Sequence, residues 1–391
     1  MGLSLARTSR AQLWWAPKLP PVVALQALGA VTAGVPAGRG LSLMAATFVS
    51  AIGIAVGSHL VNDWSDIDAD AAAGKPNVLA QLSGPARSSL VAAAGLVGAV
   101  PWAIVGPGVA SIAILVALGT STIAYSCPPI RLKGRGLAGI LADAANAHVL
   151  PAMFVLILMG EAGTRTGWWT VATVAALAWA TGFGVRSIVV HQRIDVAGDR
   201  TAGVRTFVAT HRGRNVRDIG LTAFKLELLG LVGLVAATAA TAPFVAAFSA
   251  VYLLFWCAYR RHSTVPLDPL PSAREAWMPL AEYYEVWPAA TLALHLAVQD
   301  VGWWPLPVAF GAAFAATVAK QAVDLVRMMR SVLGELARMV DFACWRFRVS
   351  WYDGRMSRVR YSSKDSLIRG WLFCRRQGRR ARRHVKARLH P

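Results

Sequence analysis

The chain has 391 residues, is 55% hydrophobic and only 15% charged, and has a mean hydropathy of +0.47 with a formal net charge of +20. A water-soluble domain of this length would carry nearer a quarter charged residues, so the composition excludes an ordinary soluble globule. The basic excess is uneven: residues 321–391 hold 18 Lys/Arg against 5 Asp/Glu, which points to anionic lipid as a partner rather than nucleic acid.

Taken in order, the N-terminus (Arg7, Arg10, Trp14, Trp15, Lys18) reads as an interfacial anchor without a small-residue cleavage site. Apolar runs follow near residues 20–38, 41–61, 88–106, 108–125, 137–160, 167–190, 216–240, 243–259, 285–299 and 304–320. Each is about as long as a bilayer-crossing helix requires, and helices satisfy their own backbone hydrogen bonds in lipid. The expected fold is therefore all-α, a polytopic transmembrane bundle of nine or ten spans. The linkers near Arg39, Gly106, Glu161–Arg165, Ala242 and Asp300–Pro305 are short and nearly uncharged. The remaining linkers, 62–87, 126–136, 191–215 and 260–284, carry the charge, and the positive-inside bias places them in the cytoplasm. Ten spans would keep the basic tail on that same side. The expected division is an anchor over 1–19, a membrane domain over 20–320 and a cytoplasmic tail over 321–391. Within the tail, Val332–Tyr352 reads as an interfacial amphipathic helix and Cys374–Arg383 as a solvated basic tract. The four cysteines (Cys127, Cys257, Cys344, Cys374) lack paired metal-ligand spacing and are expected as free thiols.

Spans two and six are each followed by an aspartate-rich stretch, a four-helix offset that suggests two pseudo-repeated halves around one cavity. Of 14 aspartates, six fall in two windows: Asp63, Asp66, Asp68 and Asp70, then Asp195 and Asp199. At helical spacing Asp63, Asp66 and Asp70 share a face that Asp68 does not, and Asp195 and Asp199 repeat the i, i+4 relation. Like charges so placed repel unless a cation sits between them. A hard divalent ion such as magnesium, bridging carboxylates to substrate phosphates, fits that need. Further polar groups lie in or beside spans. Asp143 and Asn146 in the fifth span are either functional or a helix–helix hydrogen bond, and His191 and Gln192 precede the second window by one turn. Lys225 and Glu227 read as a snorkelling or packing pair.

The first window, Asn62-Asp63-Trp64-Ser65-Asp66-Ile67-Asp68-Ala69-Asp70, resembles the Asn-Asp-x-x-Asp-x-x-x-Asp signature of the UbiA superfamily of intramembrane prenyltransferases. Asp195–Asp199 is similar to that family's second motif, followed by Gly203–Thr206 as its Gly-x-x-Thr ending. Between them Tyr125-Ser126, Arg131 and Lys133 are similar to its Tyr-Ser-x-x-x-x-Arg-x-Lys loop. The resemblance covers about residues 20–320 and departs at Gly74-Lys75-Pro76, where family members often have Arg-Pro.

That resemblance implies magnesium-dependent transfer of a prenyl group from its diphosphate to a lipophilic or aromatic acceptor. Asp63, Asp66, Asp70, Asp195 and Asp199 would hold metal. Asn62, Lys75, Arg131 and Lys133 would bind the diphosphate, and Asp66, Asp195 and Tyr125 would be catalytic. Apart from the resemblance, Arg186 on span six, some two and a half turns before the second window, could also reach the diphosphate. Three other readings stay open: a UbiA-type terpene cyclase, phosphoribosyl transfer to polyprenyl phosphate, and a non-catalytic membrane scaffold with a partner-binding basic tail.

Overall fold

A computed structural model describes residues 11, 14–72, 74–201, 203–262, 268–271 and 278–353, with side chains given as far as Cys344 except at His262. The N-terminal arginines and the Cys374–Arg383 tract lie outside the described residues. All regular structure among the described residues is helical. The principal helices are α1 (Trp15–Ala33), α2 (Ala37–Ser65), α3 (Gly84–Val105), α4 (Val109–Ser126) and α5 (Leu137–Ala162). They continue with α6 (Gly167–Thr201), α7 (Gly213–Thr241), α8 (Pro243–His262), α9 (Trp287–Gln299), α10 (Pro305–Ala313) and α11 (Ala315–Asp353).

Among the described residues seven helices, α2 to α8, are long and apolar enough to cross a membrane. Their outward positions are apolar and exposed, as at Leu96, Ile104, Val116, Val174, Leu229 and Val232, which suits a surface solvated by lipid. The ten-span expectation is not reproduced by length and composition. Helix α9 has 13 residues, about 20 Å at the helical rise, which is short of a hydrocarbon core. The expected straight span over 304–320 is broken at Phe314: Val301–Ala313 and Ala315–Cys344 meet at 84°, so together they count as at most an eighth span. Helix α1 reaches 19 residues and is largely buried by its neighbours, including α9 and Leu150–Ala162 of α5.

Small residues set the closest crossings. A Cβ on Gly53 of α2 would lie 2.4 Å from the backbone nitrogen of Gly98 on α3. On Gly182 of α6 it would lie 2.3 Å from the backbone nitrogen of Glu227 on α7. Only glycine admits such backbone approach, the usual device for helix association in lipid. The two acidic helices, α2 and α6, are thus each seated on the helix that follows.

The chain divides into two units, residues 1–329 and 330–391. In the second, the described residues continue α11. There Arg338 donates to Glu335 at 2.7 Å, and Leu333, Leu336, Met339 and Val340 are exposed.

Candidate active site

Helix α2 carries the first acidic window to its C-terminal end. It stops at Ser65, where Asp66 leaves helical geometry (φ −105°, ψ 3°), and a short turn, Ile67–Ala72, follows. The single uniform helical face expected for this window is therefore broken at Asp66. The i, i+4 relation survives through Asp70 N–H donating to the Asp66 carbonyl at 2.7 Å. Asp63 is buried, Asp66 and Asp70 are half-buried and Asp68 is exposed.

The two windows end alike. Gly74 (φ 64°) and Gly203 (φ 68°) each turn the chain in the left-handed region, where a side chain would be strained. Lys75 N–H then donates to the Asp70 carbonyl at 2.8 Å, and Val204 N–H to the Asp199 carbonyl at 2.9 Å. Seven residues after the last aspartate of each window a polar side chain returns to it. Asn77 Nδ2 donates to Asp70 Oδ2 at 2.9 Å, and Thr206 Oγ1 donates to Asp199 Oδ2 at 3.0 Å. Asn77 is a site residue that motif reading misses. Its signal is internal: Asp70-x-x-Ala-Gly-x-x-Asn77 matches Asp199-x-x-Ala-Gly-x-x-Thr206.

The loop after α4 closes over the first window. Arg131 takes φ 40°, ψ 61°, a left-handed conformation that costs a non-glycine residue roughly 1–2 kcal/mol. Its side chain donates to Asp66 Oδ1 at 2.7 Å, while Lys133 Nζ donates to Asp66 Oδ2 at 2.6 Å and to Asn62 Oδ1 at 2.8 Å. Ser126 Oγ also reaches Asn62 Oδ1, at 3.4 Å. Burial pushes the Lys133 ammonium below the ordinary lysine value, with the Asp66 carboxylate pulling the other way. Lys75 is exposed at the outer edge of this turn.

Beneath the rim lies a cavity of about 340 Å³ between α1, α2, α3, α4, α5 and α6. Asn62, Tyr125, Asp143, Asn146 and His191 line its polar part, and Trp102, Leu115, Phe154 and Val155 line its apolar part. Ser50 and Asn62, both on α2, are twelve residues apart, so the floor is about 18 Å from the rim along the helix. The Trp102 ring is fixed there. Its Nε1–H donates to Ser50 Oγ at 2.8 Å, Ser50 Oγ donates to the Gly98 carbonyl at 2.6 Å, and Phe154 meets the ring edge-on at 5.0 Å.

The second window is on unbroken helix α6. His191 Nε2 stands 3.5 Å from Asp195 Oδ2, and Gln192 is buried with Oε1 accepting from Val208 N–H at 3.2 Å. Tyr125, on α4, lines the cavity together with Asn62, Asp143 and His191. Among the described residues no three carboxylates, imidazoles or thiols converge on one point.

Comparison with known families matches the model of the UbiA prenyltransferase family to residues 19–278, two thirds of the chain and every motif above. The chain belongs to the UbiA prenyltransferase family. Solved structures agree on the fold. A UbiA homolog from Archaeoglobus fulgidus bound to DMAPP and Mg2+ aligns with a TM-score of 0.53 at 13% identity, covering 75% of this chain and 99% of that one. The same description bound to GPP and Mg2+ gives 0.51 at 16% identity, covering 75% and 98%. A third, bound to Cd2+, gives 0.53 at 15% identity, with the same coverage as the GPP-bound structure. Comparison with curated protein sequences gives no match.

One expected ligand of this UbiA site lies elsewhere. Arg186 is fully buried on α6, and four of its five guanidinium N–H donors are already engaged. Nε and Nη2 fork onto Glu227 at 2.6 and 2.7 Å, Nη2 also donates to the Pro279 carbonyl at 3.0 Å, and Nη1 donates to the Pro269 carbonyl at 3.3 Å. Tyr284 hydroxyl donates to Glu227 Oε1 at 2.9 Å. Arg186 is not among the residues that line the cavity. The same contacts correct the expected Lys225–Glu227 pairing, since Glu227 is buried against Arg186. This ion pair is a cross-link between α6, α7 and the segment before α9.

Proposed function

We propose that this chain transfers a prenyl group from a prenyl diphosphate to a lipophilic or aromatic acceptor within the membrane, with a divalent cation required. One observation carries the reading. Arg131 and Lys133 are gathered on the two oxygens of Asp66 at the rim of a cavity whose deeper wall is apolar. Such a site offers anchorage to a charged headgroup and a dry sleeve to a hydrocarbon chain.

The donor chemistry fits magnesium. Every candidate ligand is a hard oxygen: Asn62, Asp63, Asp66 and Asp70 at the first window, and Asp195 and Asp199 at the second. Magnesium ordinarily combines one or two protein carboxylates with substrate phosphate oxygens, which suits windows that do not converge on a closed cage. When bound, the ion neutralises charge that develops on the departing diphosphate. The structures of the archaeal homolog with Mg2+ and DMAPP or GPP support this assignment.

The chain's own groups divide the remaining work. Arg131 and Lys133 hold phosphate oxygens, with Lys75 a further contact as a point charge at the outer edge. Asn77 and Thr206 orient Asp70 and Asp199. The allylic C1–O bond breaks with its electron pair leaving on the diphosphate. The acceptor's nucleophile then bonds to C1 and loses a proton. Tyr125 lines the cavity, where an aromatic ring would stabilise a passing carbocation. The apolar wall excludes water that would otherwise capture that cation.

Labelled prenyl diphosphates of several lengths, supplied with a membrane extract, should give a lipid-soluble product only when magnesium is present. Turnover that continues unchanged in excess chelator would overturn the metal assignment. The same assay reports the floor. Trp102→Ala should raise kcat/KM severalfold for chains longer than GPP relative to GPP itself, because the ring that ends the cavity is gone. An unchanged ratio would show that the chain runs elsewhere.

A further inference from the structure

The wall between rim and floor contains a group that neither a prenyl chain nor a diphosphate can satisfy. Helix α5 is not uniform: Ala145–Val149 runs as a π-turn between two α-helical stretches. Such an insertion widens the helix and persists chiefly where it serves a site. Asn146 is the second residue of that turn and lines the cavity. Its Oδ1 is buried without a hydrogen-bond partner, a costly arrangement for an amide oxygen inside a membrane bundle. Asp143, one turn nearer the rim, lines the same cavity with Tyr125, whose neighbour Ser126 contacts Asn62. A polar belt thus stands between the headgroup site and the apolar floor.

A prenyl chain has no N–H or O–H, and a diphosphate held at the rim is an acceptor only. The remaining reactant is the acceptor molecule. We infer that Asn146 recognises the acceptor by taking a hydrogen bond from a hydroxyl or amine on it, which places the nucleophilic end of that molecule one turn below the departing diphosphate. The inference rests on the prenyl-transfer reading, and it favours a hydroxyl- or amine-bearing second substrate over closure of the prenyl chain on itself. Asn146 is a binding and specificity residue in this account. The headgroup site is independent of it.

The test uses full-length protein in detergent and two probes that differ in one donor, 4-dodecylphenol and its methyl ether. Wild type should bind the phenol about tenfold more tightly than the ether. Asn146→Leu should erase that preference, and Asn146→Asp, which keeps an acceptor oxygen, should retain it. Affinity for GPP with magnesium should be the same in all three proteins. That measurement shows that each variant is folded, and it tests the prenyl-transfer reading separately: if wild type fails to bind GPP, it is that reading that fails. Equal affinity of wild type for the two probes, or binding of neither, would overturn the inference. So would a phenol preference that survives in Asn146→Leu. If Asn146→Leu proves unstable, Asn146→Ala must show the same loss of preference.

Discussion

Asp66→Ala should lower turnover on the order of a thousandfold while the protein remains folded and inserted. Asp66 is where the rim is assembled: Arg131 occupies one of its oxygens at 2.7 Å and Lys133 the other at 2.6 Å. Under the proposed function, removing it would take away a ligand for the divalent ion and release Arg131 and Lys133 from the positions in which they would meet the phosphate. The fold should tolerate the loss, because the residue stands at a helix end on the polar rim with its side chain 18% exposed, outside the packed core. Asp66→Asn is the sharper variant. It keeps the shape and one acceptor oxygen but removes the charge, and should still lose most of the activity. Asp195→Ala should behave similarly through the second window. The readouts are product formation under saturating magnesium, with a thermal melt in detergent as the fold control. Near-normal turnover in either alanine variant would exclude that window from the chemistry.

The largest stability effect is expected at the buried Arg186–Glu227 ion pair. Glu227→Ala should destabilise the protein by about 3–5 kcal/mol, because it strands the Arg186 guanidinium in a fully buried position without its counter-charge. The double variant Arg186→Met with Glu227→Leu should recover much of that loss, since two apolar side chains of similar volume need no desolvation. KM for the prenyl diphosphate should stay close to wild type in the double variant. If Glu227→Ala leaves the melting temperature unchanged, or if the double variant is stable but no longer binds prenyl diphosphate, Arg186 belongs to the substrate site after all.

These two expectations mark where motif reading succeeded and where it could not. Asp66, Asn62, Arg131 and Lys133 lie in two short segments, and the resemblance of those segments to the UbiA motifs grouped them. Arg186 looked equivalent from sequence: an arginine on an apolar helix, some two and a half turns from an acidic motif. Its partner, Glu227, is 41 residues away on the next helix, and its backbone acceptors belong to Pro269 and Pro279. Only the packing of α6 on α7 at Gly182 decides that the guanidinium turns away from the phosphate. Asn77 illustrates the intermediate case. Its spacing from Asp70 equals that of Thr206 from Asp199, so the information was in the chain, but it carried meaning only once both side chains were seen to return to their carboxylates.

The sequence by itself determined the helical class and the residue types available at the rim. Long apolar runs can satisfy their backbones in lipid only as helices, and clustered carboxylates repel unless positive charge lies near them. Tertiary structure decided that the run over 304–320 is not one straight span, because it bends by 84° at Phe314. It also decided which polar groups face the cavity. Asp143 and Asn146 could have been a helix–helix hydrogen bond or site residues. Both line the cavity, and Asn146 does so from within the π-turn of α5. Helix phase is a sum of small local rotations and contacts from distant segments, and no spacing rule in a single strand of sequence contains it.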